Sequence, residues 1–464
     1  MHLPTRRPGG HLERGRRIGA QAPLATLGNV RLPPGMFEWL AVTLVLVYVW
    51  RIQDLFGILG LIKFPILVSL AALWLFLDGR ATRSAPRYRH RLVRISTFIL
   101  VWMLFSVPGG VYPGLSLRFI VNDHVKTYIM MLMLIASIRQ YADVERLILA
   151  YVLGAGLYCV EILTTFQIEA SGRLGDLFYY DSNDLAMFLV CTLPLLVYFM
   201  RAGARIWLRL VALPIAGIFI ITIVRAGSRG GFLGLIGVAI YLLFGFRAVA
   251  GRIRFGAVAL CAILLFSVAG PVFWNMMGTM LKPEDDYNFN GTESGRQAIW
   301  QRGMGYMKSH PIAGVGANAF PQAEGMISEL AGEQAEGHGV KWSAAHNSFV
   351  QIAAELGIPG IVAFIAQIGT MLMTCISLVR KRSRASPDEQ ALAQALIGTI
   401  IGYAICGFFL SQAYSAYLYA TCAVLVGLSA VSGSSAHHPR TEALCTAPPR
   451  MLRRRHFNTR IAPG

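Results

Sequence analysis

Apolar runs recur along most of this chain and are separated by short polar turns, many of them rich in arginine. They fall near residues 37–50, 55–77, 94–107, 124–138, 143–163, 183–200, 207–224, 230–246, 256–273, 347–378, 391–410 and 415–431. A helix needs about 20 apolar residues to cross a bilayer core. The pattern therefore predicts an all-α, polytopic transmembrane helical bundle of about twelve spans, some of them short enough to be tilted or partly re-entrant. The run over 347–378 carries Gly357 and Pro359 and is expected to be broken. One polar stretch, residues 274–345, is too long for a turn and is expected to hold short amphipathic helices.

Composition supports this class. Hydrophobic residues make up 55% of the 464 and charged residues 14%, where a soluble protein carries about a quarter charged. The order along the chain is then a basic tail (1–36), nine spans (37–273), the long loop (274–345), three spans (346–431) and a second basic tail (432–464). The first tail lacks the apolar stretch of a signal peptide. Both tails read as disordered or as lying on an anionic membrane surface. The net charge of +18 sits mainly in tails and short loops, so no nucleic-acid partner is needed to account for it.

Twelve spans place the arginine clusters at 80–94, 201–209, 247–254 and 380–384, with both tails, on one side. By the positive-inside rule that side is the cytoplasm. Residues 274–345 then face outward, as does the segment around 172–182. Arg51, Arg118 and Arg173 fall outside singly. Six of the seven cysteines lie in apolar runs, Cys445 lies in the second tail, and the long loop has none. Disulfides and a thiolate metal site are not expected there.

Against this background a few polar residues stand out. Arg225-Ala226-Gly227-Ser228-Arg229-Gly230-Gly231 places two arginines on the outer side at the start of a span. They read either as lipid anchors or as an anion site, because a guanidinium fork matches phosphate geometry. His346 opens an apolar helix that carries Asn347, Gln351 and Glu355 at i, i+4 and i+8, on one face. That face is either a polar seam between helices or one wall of a site. Thr292–Gln297 starts a further helix, with Ser294 and Gln297 as a capping box. Arg296, Trp300, Gly303 and Met307 share its face, which is expected to lie at the membrane interface. Asn183 or Asp184 serves as an N-cap or as part of the same outer cavity. Gly314-Val315-Gly316-Ala317-Asn318-Ala319 has dinucleotide-motif spacing but no preceding strand, and reads as a turn-rich connection. Glu284-Asp285-Asp286 reads as a solvated acidic run, with divalent-cation binding as the alternative, and His310 and His338 lack partners at metal-ligand spacing.

Gly-Arg-x-x-x-Trp at 295–300, His-Pro-Ile-Ala-Gly-Val-Gly at 310–316 and Ala-His-Asn-Ser-Phe…Glu-Leu-Gly-Ile-Pro-Gly at 345–360 frame the outer loop. Together they resemble the O-antigen ligase and polymerase superfamily, and Ser-Arg-Gly at 228–230 and Asn-Asp-Leu-Ala at 183–186 are similar to its upstream pattern. The resemblance implies a bacterial inner-membrane enzyme. Such an enzyme moves a glycan from undecaprenyl diphosphate to an acceptor at the periplasmic face, without metal or cofactor. The acceptor is lipid A–core in a ligase and a second lipid-linked glycan in a polymerase. The resemblance also implies His346 as catalytic base and Arg229 and Arg296, with Arg225, on the diphosphate. Asn347, Gln351, Asn183 and Asp184 are candidates for contact with the acceptor or for support of the site. A transporter of polysaccharide or lipid-linked glycan is the reading from another class. It would place its polar residues near the bilayer midplane, in broken helices of both halves.

Overall fold

The structure is a computed structural model that describes residues 35–80, 83–167, 173–175, 179–282, 295–332, 342–380, 385–434 and 464. Most of both tails, Ser294, Glu284-Asp285-Asp286 and His338 lie outside the described residues.

Every regular element among the described residues is helical. Six helices are long and apolar enough to cross a membrane. They are α6 (Pro113–Ser137), α7 (Tyr141–Thr165), α9 (Ile206–Ala226), α11 (Gly251–Val268), α15 (Ser348–Val379) and α16 (Pro387–Gly407). Shorter apolar helices are α1 (Met36–Tyr48), α8 (Ser182–Tyr198), α10 (Arg229–Phe244) and α17 (Ala416–Ser434). The remaining helices are α2 (Ile52–Leu55), α3 (Gly57–Leu61), α4 (Phe64–Leu75), α5 (Arg91–Ser106), α12 (Pro271–Gly278), α13 (Arg296–Ser309) and α14 (Phe320–Met326).

The all-helical architecture agrees with the apolar pattern, but the second run does not form one span. Residues 55–77 are divided among α2, α3 and α4, with Arg51 and Lys63 at the N-cap positions of α2 and α4 in the left-handed region, φ 47° and 51°. Gly57 and Gly60 weaken a continuous helix, and Pro65 in the first turn of α4 restarts it. The fourth run is longer than expected. It begins at Pro113 and passes through a π-turn at Ile120–His124, a form that often marks functional positions.

Helix α8 is the inner helix. All of its residues except Asn183 and Asp184 are buried, and it packs most heavily on α16. Small residues permit this approach. A Cβ at Gly398 would lie 2.9 Å from Pro194, and one at Gly234 would lie 2.3 Å from Cys406 Sγ. Close helix packing through small residues is the usual solution in lipid, where apolar burial alone does not drive association. The N-cap of α8 is Asp181, not Asn183 or Asp184: its carboxylate accepts the amides of both at 2.8 and 2.7 Å. At the opposite end, Arg201 clamps Glu145 (2.6 Å) and Asp388 (2.7 Å), which ties α7 and the start of α16 to the end of α8. By contrast, α11 buries only Leu265 and exposes Phe255, Ile263 and Phe266, the surface expected of a lipid-facing helix.

Helix α15 is broken as expected. Gly357 adopts φ 66°, ψ −163°, and Pro359 has no amide hydrogen to donate. Three carbonyls at the break are taken by other segments. Ala354 O accepts from Val315 N (2.9 Å), Glu355 O from Gly316 N (3.0 Å) and Leu356 O from Trp102 Nε1 (3.0 Å). Unpaired backbone groups are costly in an apolar interior, so the 311–316 segment completes this helix. A Cβ at Gly314, φ 66°, would lie 2.3 Å from the Glu355 carbonyl carbon. The glycine spacing that resembled a dinucleotide motif is therefore a demand for close backbone approach.

Candidate active site

His346, Gln351, Glu355 and Asp184 each hydrogen-bond to the 411–414 segment between α16 and α17. His346 precedes the N-cap of α15 in the left-handed region, φ 46°, which is uncommon for a residue with a Cβ. Two contacts hold the backbone on either side. The His346 amide donates to Ser411 Oγ at 2.9 Å, and Trp300 Nε1 donates to Ala345 O at 3.0 Å. The turn presents the half-buried imidazole where chain direction changes from loop to helix.

Asn347 and Glu355 anchor structure at this point. Asn347 is buried, and its Oδ1 caps α15 by accepting from the amides of Phe349 (2.9 Å) and Val350 (3.1 Å). Glu355 is fully buried and accepts from Asn318 N (2.9 Å), Phe320 N (3.3 Å) and Tyr414 Oη (2.8 Å). Gln351 Oε1 accepts from Ala413 N at 3.4 Å. The i, i+4, i+8 series is thus the seam on which 314–320 and 408–414 are hung, and Gln351 also lines a cavity.

Ser348 Oγ donates to Leu410 O (2.6 Å) and accepts from Gln412 N (2.9 Å). Gln412 Nε2 donates to Asp184 Oδ1 at 2.8 Å, which brings the start of α8 to the same segment. Ser411, Gln412 and Tyr414 carry much of this arrangement, and none of them stands out in the sequence. The available signal was a short polar interruption between two apolar runs.

The arginines approach from another side. Arg229 is the first residue of α10, whose N-cap Ser228 accepts from Gly231 N at 3.1 Å. Its guanidinium donates to Thr279 Oγ1 at 3.0 Å. The next residue, Gly230, packs on Phe409: a Cβ there would lie 2.8 Å from that side chain. Arg296 is half-buried and is the first residue of α13, one turn before Trp300. The Trp300 ring packs edge-on against Phe408 at 5.2 Å. Helix α13 begins after Gly295, which makes no side-chain cap. Its apolar face (Ile299, Gly303 and Tyr306) packs against Phe320, Val350 and Ala354. The expected interface face of Arg296, Trp300, Gly303 and Met307 overlaps these three buried residues only at Gly303.

That packing is fixed by a buried ion pair. Arg302 grips Glu324 through Nε (3.0 Å) and a terminal nitrogen (2.5 Å), and Tyr306 Oη donates to Glu324 at 2.7 Å. Burial, helped by the Glu324 carboxylate, raises the Tyr306 pKa and keeps its hydroxyl a donor. Burial alone would lower the Arg302 pKa, but the hydrogen bond and charge of Glu324 outweigh it, so the pKa is raised.

Arg225, on the last turn of α9, is exposed, and its carbonyl accepts from Leu174 N at 3.0 Å. Asn183 meets the arginine group indirectly. Arg173 donates to Asn183 Oδ1 (2.9 Å), Ser182 Oγ (2.8 Å) and Ala226 O (3.0 Å), and so joins α8 to the turn before α10. In the sequence Arg173 is only an isolated outer arginine. Its role depends on partners up to 53 positions away.

Six helices long and apolar enough to cross a membrane, with shorter apolar helices beside them, indicate a multi-pass membrane protein. Residues 214–365 match the family model described as O-antigen ligase, and this match supports placing the chain in the O-antigen ligase superfamily. The matched span runs from α9 into α15 and contains Arg225, Arg229, Arg296 and His346. The family indicates O-antigen ligase-like activity of the glycosyltransferase kind. No curated protein matches the chain.

Proposed function

We propose that this protein transfers a glycan from undecaprenyl diphosphate to an acceptor hydroxyl at the periplasmic face of a bacterial inner membrane, as an O-antigen ligase. His346 accepts the hydroxyl proton as the acceptor oxygen bonds to the anomeric carbon. The bond from that carbon to the diphosphate breaks, and undecaprenyl diphosphate leaves with the electron pair. Arg229 and Arg296 hold the diphosphate and offset its growing charge, with Arg225 at the rim. Diphosphate is a competent leaving group, so the step needs neither nucleotide nor metal.

One observation carries the reading. Arg229 and Arg296 each occupy the first position of a helix, and both helices reach the 408–411 segment that anchors His346. Cations are disfavoured at the positive end of a helix dipole, whereas an anion is favoured there. Two such placements converging beside an imidazole suit a diphosphate donor. The break in α15 gives no support to a transporter, because protein donors already occupy the three carbonyls at the break.

The test is transfer by the purified protein in detergent, with undecaprenyl-diphosphate glycan as donor, lipid A–core as acceptor and EDTA present. Glycan should appear on lipid A–core. Chain extension on the donor alone would make the protein a polymerase, and no product with either acceptor would refute the transfer reading.

A further inference from the structure

A cavity of about 940 Å³ lies on the side of the 411–416 segment formed by α1, α2, α4 and α6. Gln351, Ser411 and Gln412 form the wall nearest His346, and none of Arg173, Arg229 or Arg296 lines it. Among the described lining residues the charges balance, with Arg51 and Lys126 against Asp54 and Asp123. Arg51 is also engaged, paired with Asp54 and stacked on the Tyr179 ring at 3.6 Å. A diphosphate would find little net positive charge here.

The remaining lining suits a hydroxyl-rich ligand. Amide side chains come from Gln53, Asn122, Asn318, Gln351 and Gln412, and rings come from Tyr48, Phe119, Tyr179, Tyr180 and Tyr414. Amides offer both donors and acceptors to hydroxyls, and rings cover the apolar faces of a sugar. Two buried atoms of lining residues, Gln53 Oε1 and His124 Nδ1, have no hydrogen-bond partner among the described residues. His124 is 1% exposed and sits in the π-turn of α6. An unsatisfied buried polar atom costs about 1–3 kcal/mol, but both of these are closed to water in this conformation, so a ligand reaches them only if the wall shifts. The outer wall is different in character. Pro65, Ile66 and Leu70 of α4 line it, and Ile66 and Leu70 are more than half exposed.

The geometry points to this cavity as the binding site for the acceptor: a glycolipid whose saccharide head lies among Gln53, Asn122 and Gln351 and whose lipid follows the apolar face of α4. The inference rests on the transfer reading above and adds the side from which the nucleophile arrives. Donor diphosphate and acceptor sugar then meet at His346 from opposite faces of the 408–414 segment.

Three probes bound to purified wild type in detergent test this assignment: rough lipopolysaccharide (lipid A with core sugars), lipid A alone, and undecaprenyl diphosphate. Asn122 is exposed, so Asn122→Ala leaves packing intact; Gln53→Leu is the second variant. Together they should weaken rough lipopolysaccharide by about tenfold, the loss of one to two hydrogen bonds. Undecaprenyl diphosphate should bind them as it binds wild type, and Arg229→Ala should show the reverse pattern. Unchanged rough lipopolysaccharide affinity, equal affinity of wild type for lipid A alone, or a parallel loss of undecaprenyl diphosphate would each overturn the site. If wild type binds both ligands with this pattern yet transfers nothing, the transfer reading fails and the binding site stands.

Discussion

Tyr414 donates its hydroxyl to Glu355 at 2.8 Å and thereby ties the segment between the last two helices to the N-terminal half of the broken helix. The same carboxylate accepts from the amides of Asn318 and Phe320. Three separate stretches of chain meet on one buried side chain. Tyr414→Phe removes one donor, and Glu355→Leu strands all three. Tyr414→Phe should cost about 1 kcal/mol and Glu355→Leu about 3 kcal/mol or more, read as the order of thermal midpoints in detergent. Equal midpoints for wild type and Glu355→Leu would deny the carboxylate this role.

His346→Ala should lower turnover by about 10²-fold or more while donor still binds. Ser411→Ala leaves the imidazole but frees its backbone, and a smaller loss, about tenfold, is expected. Donor affinity and single-turnover rates separate the two effects. Wild-type turnover of His346→Ala at every pH would remove it as the base.

For the arginines, alanine at Arg229 or Arg296 should abolish transfer without depleting protein from the membrane. Lysine should restore part of it, because a point charge lacks the bidentate fork. If lysine matched arginine fully, charge alone would suffice and the diphosphate geometry would be unsupported.

Two glycines offer a contrast within one segment pair. Gly314→Ala forces a Cβ to 2.3 Å from the Glu355 carbonyl carbon at φ 66°, and should destabilise by about 2–4 kcal/mol. Gly305→Ala, on the exposed face of α13 with nothing within 4 Å, should stabilise by about 0.5–1 kcal/mol. Thermal unfolding of both variants decides, and a tolerated Gly314→Ala would mean that the 311–316 segment can move away.

Orientation is tested with cysteines at two exposed positions, Glu329 after α14 and Ala202 between α8 and α9. An impermeant thiol reagent applied to intact cells should label Glu329→Cys and spare Ala202→Cys. The opposite result would invert the bundle.

Helix placement was largely legible in the sequence. The α7, α8, α9, α10 and α16 helices begin within about four residues of the expected spans, because apolar periodicity and capping act over a few neighbouring positions. The run at 55–77 misled because its average hydropathy hides Gly57, Gly60 and Pro65, which break it. His346, Arg229 and Arg296 were visible as polar exceptions in apolar surroundings. Ser411, Gln412 and Arg173 were not, because their meaning is non-local: Gln412 meets Asp184 across 228 positions. No local pattern encodes such a contact.

The broken α15 also limits how this protein can be recombined with relatives. Its N-terminal half borrows backbone donors from Val315 and Gly316, and its C-terminal half begins with Ile358 N donating to Pro311 O at 2.8 Å. Residues 311–316 and 354–358 therefore behave as one inheritance unit. A chimera that exchanges the long loop but keeps the helix would mismatch donors and carbonyls at the break. Productive junctions should fall before Pro311 and beyond Pro359, so that both sides of the splice travel together.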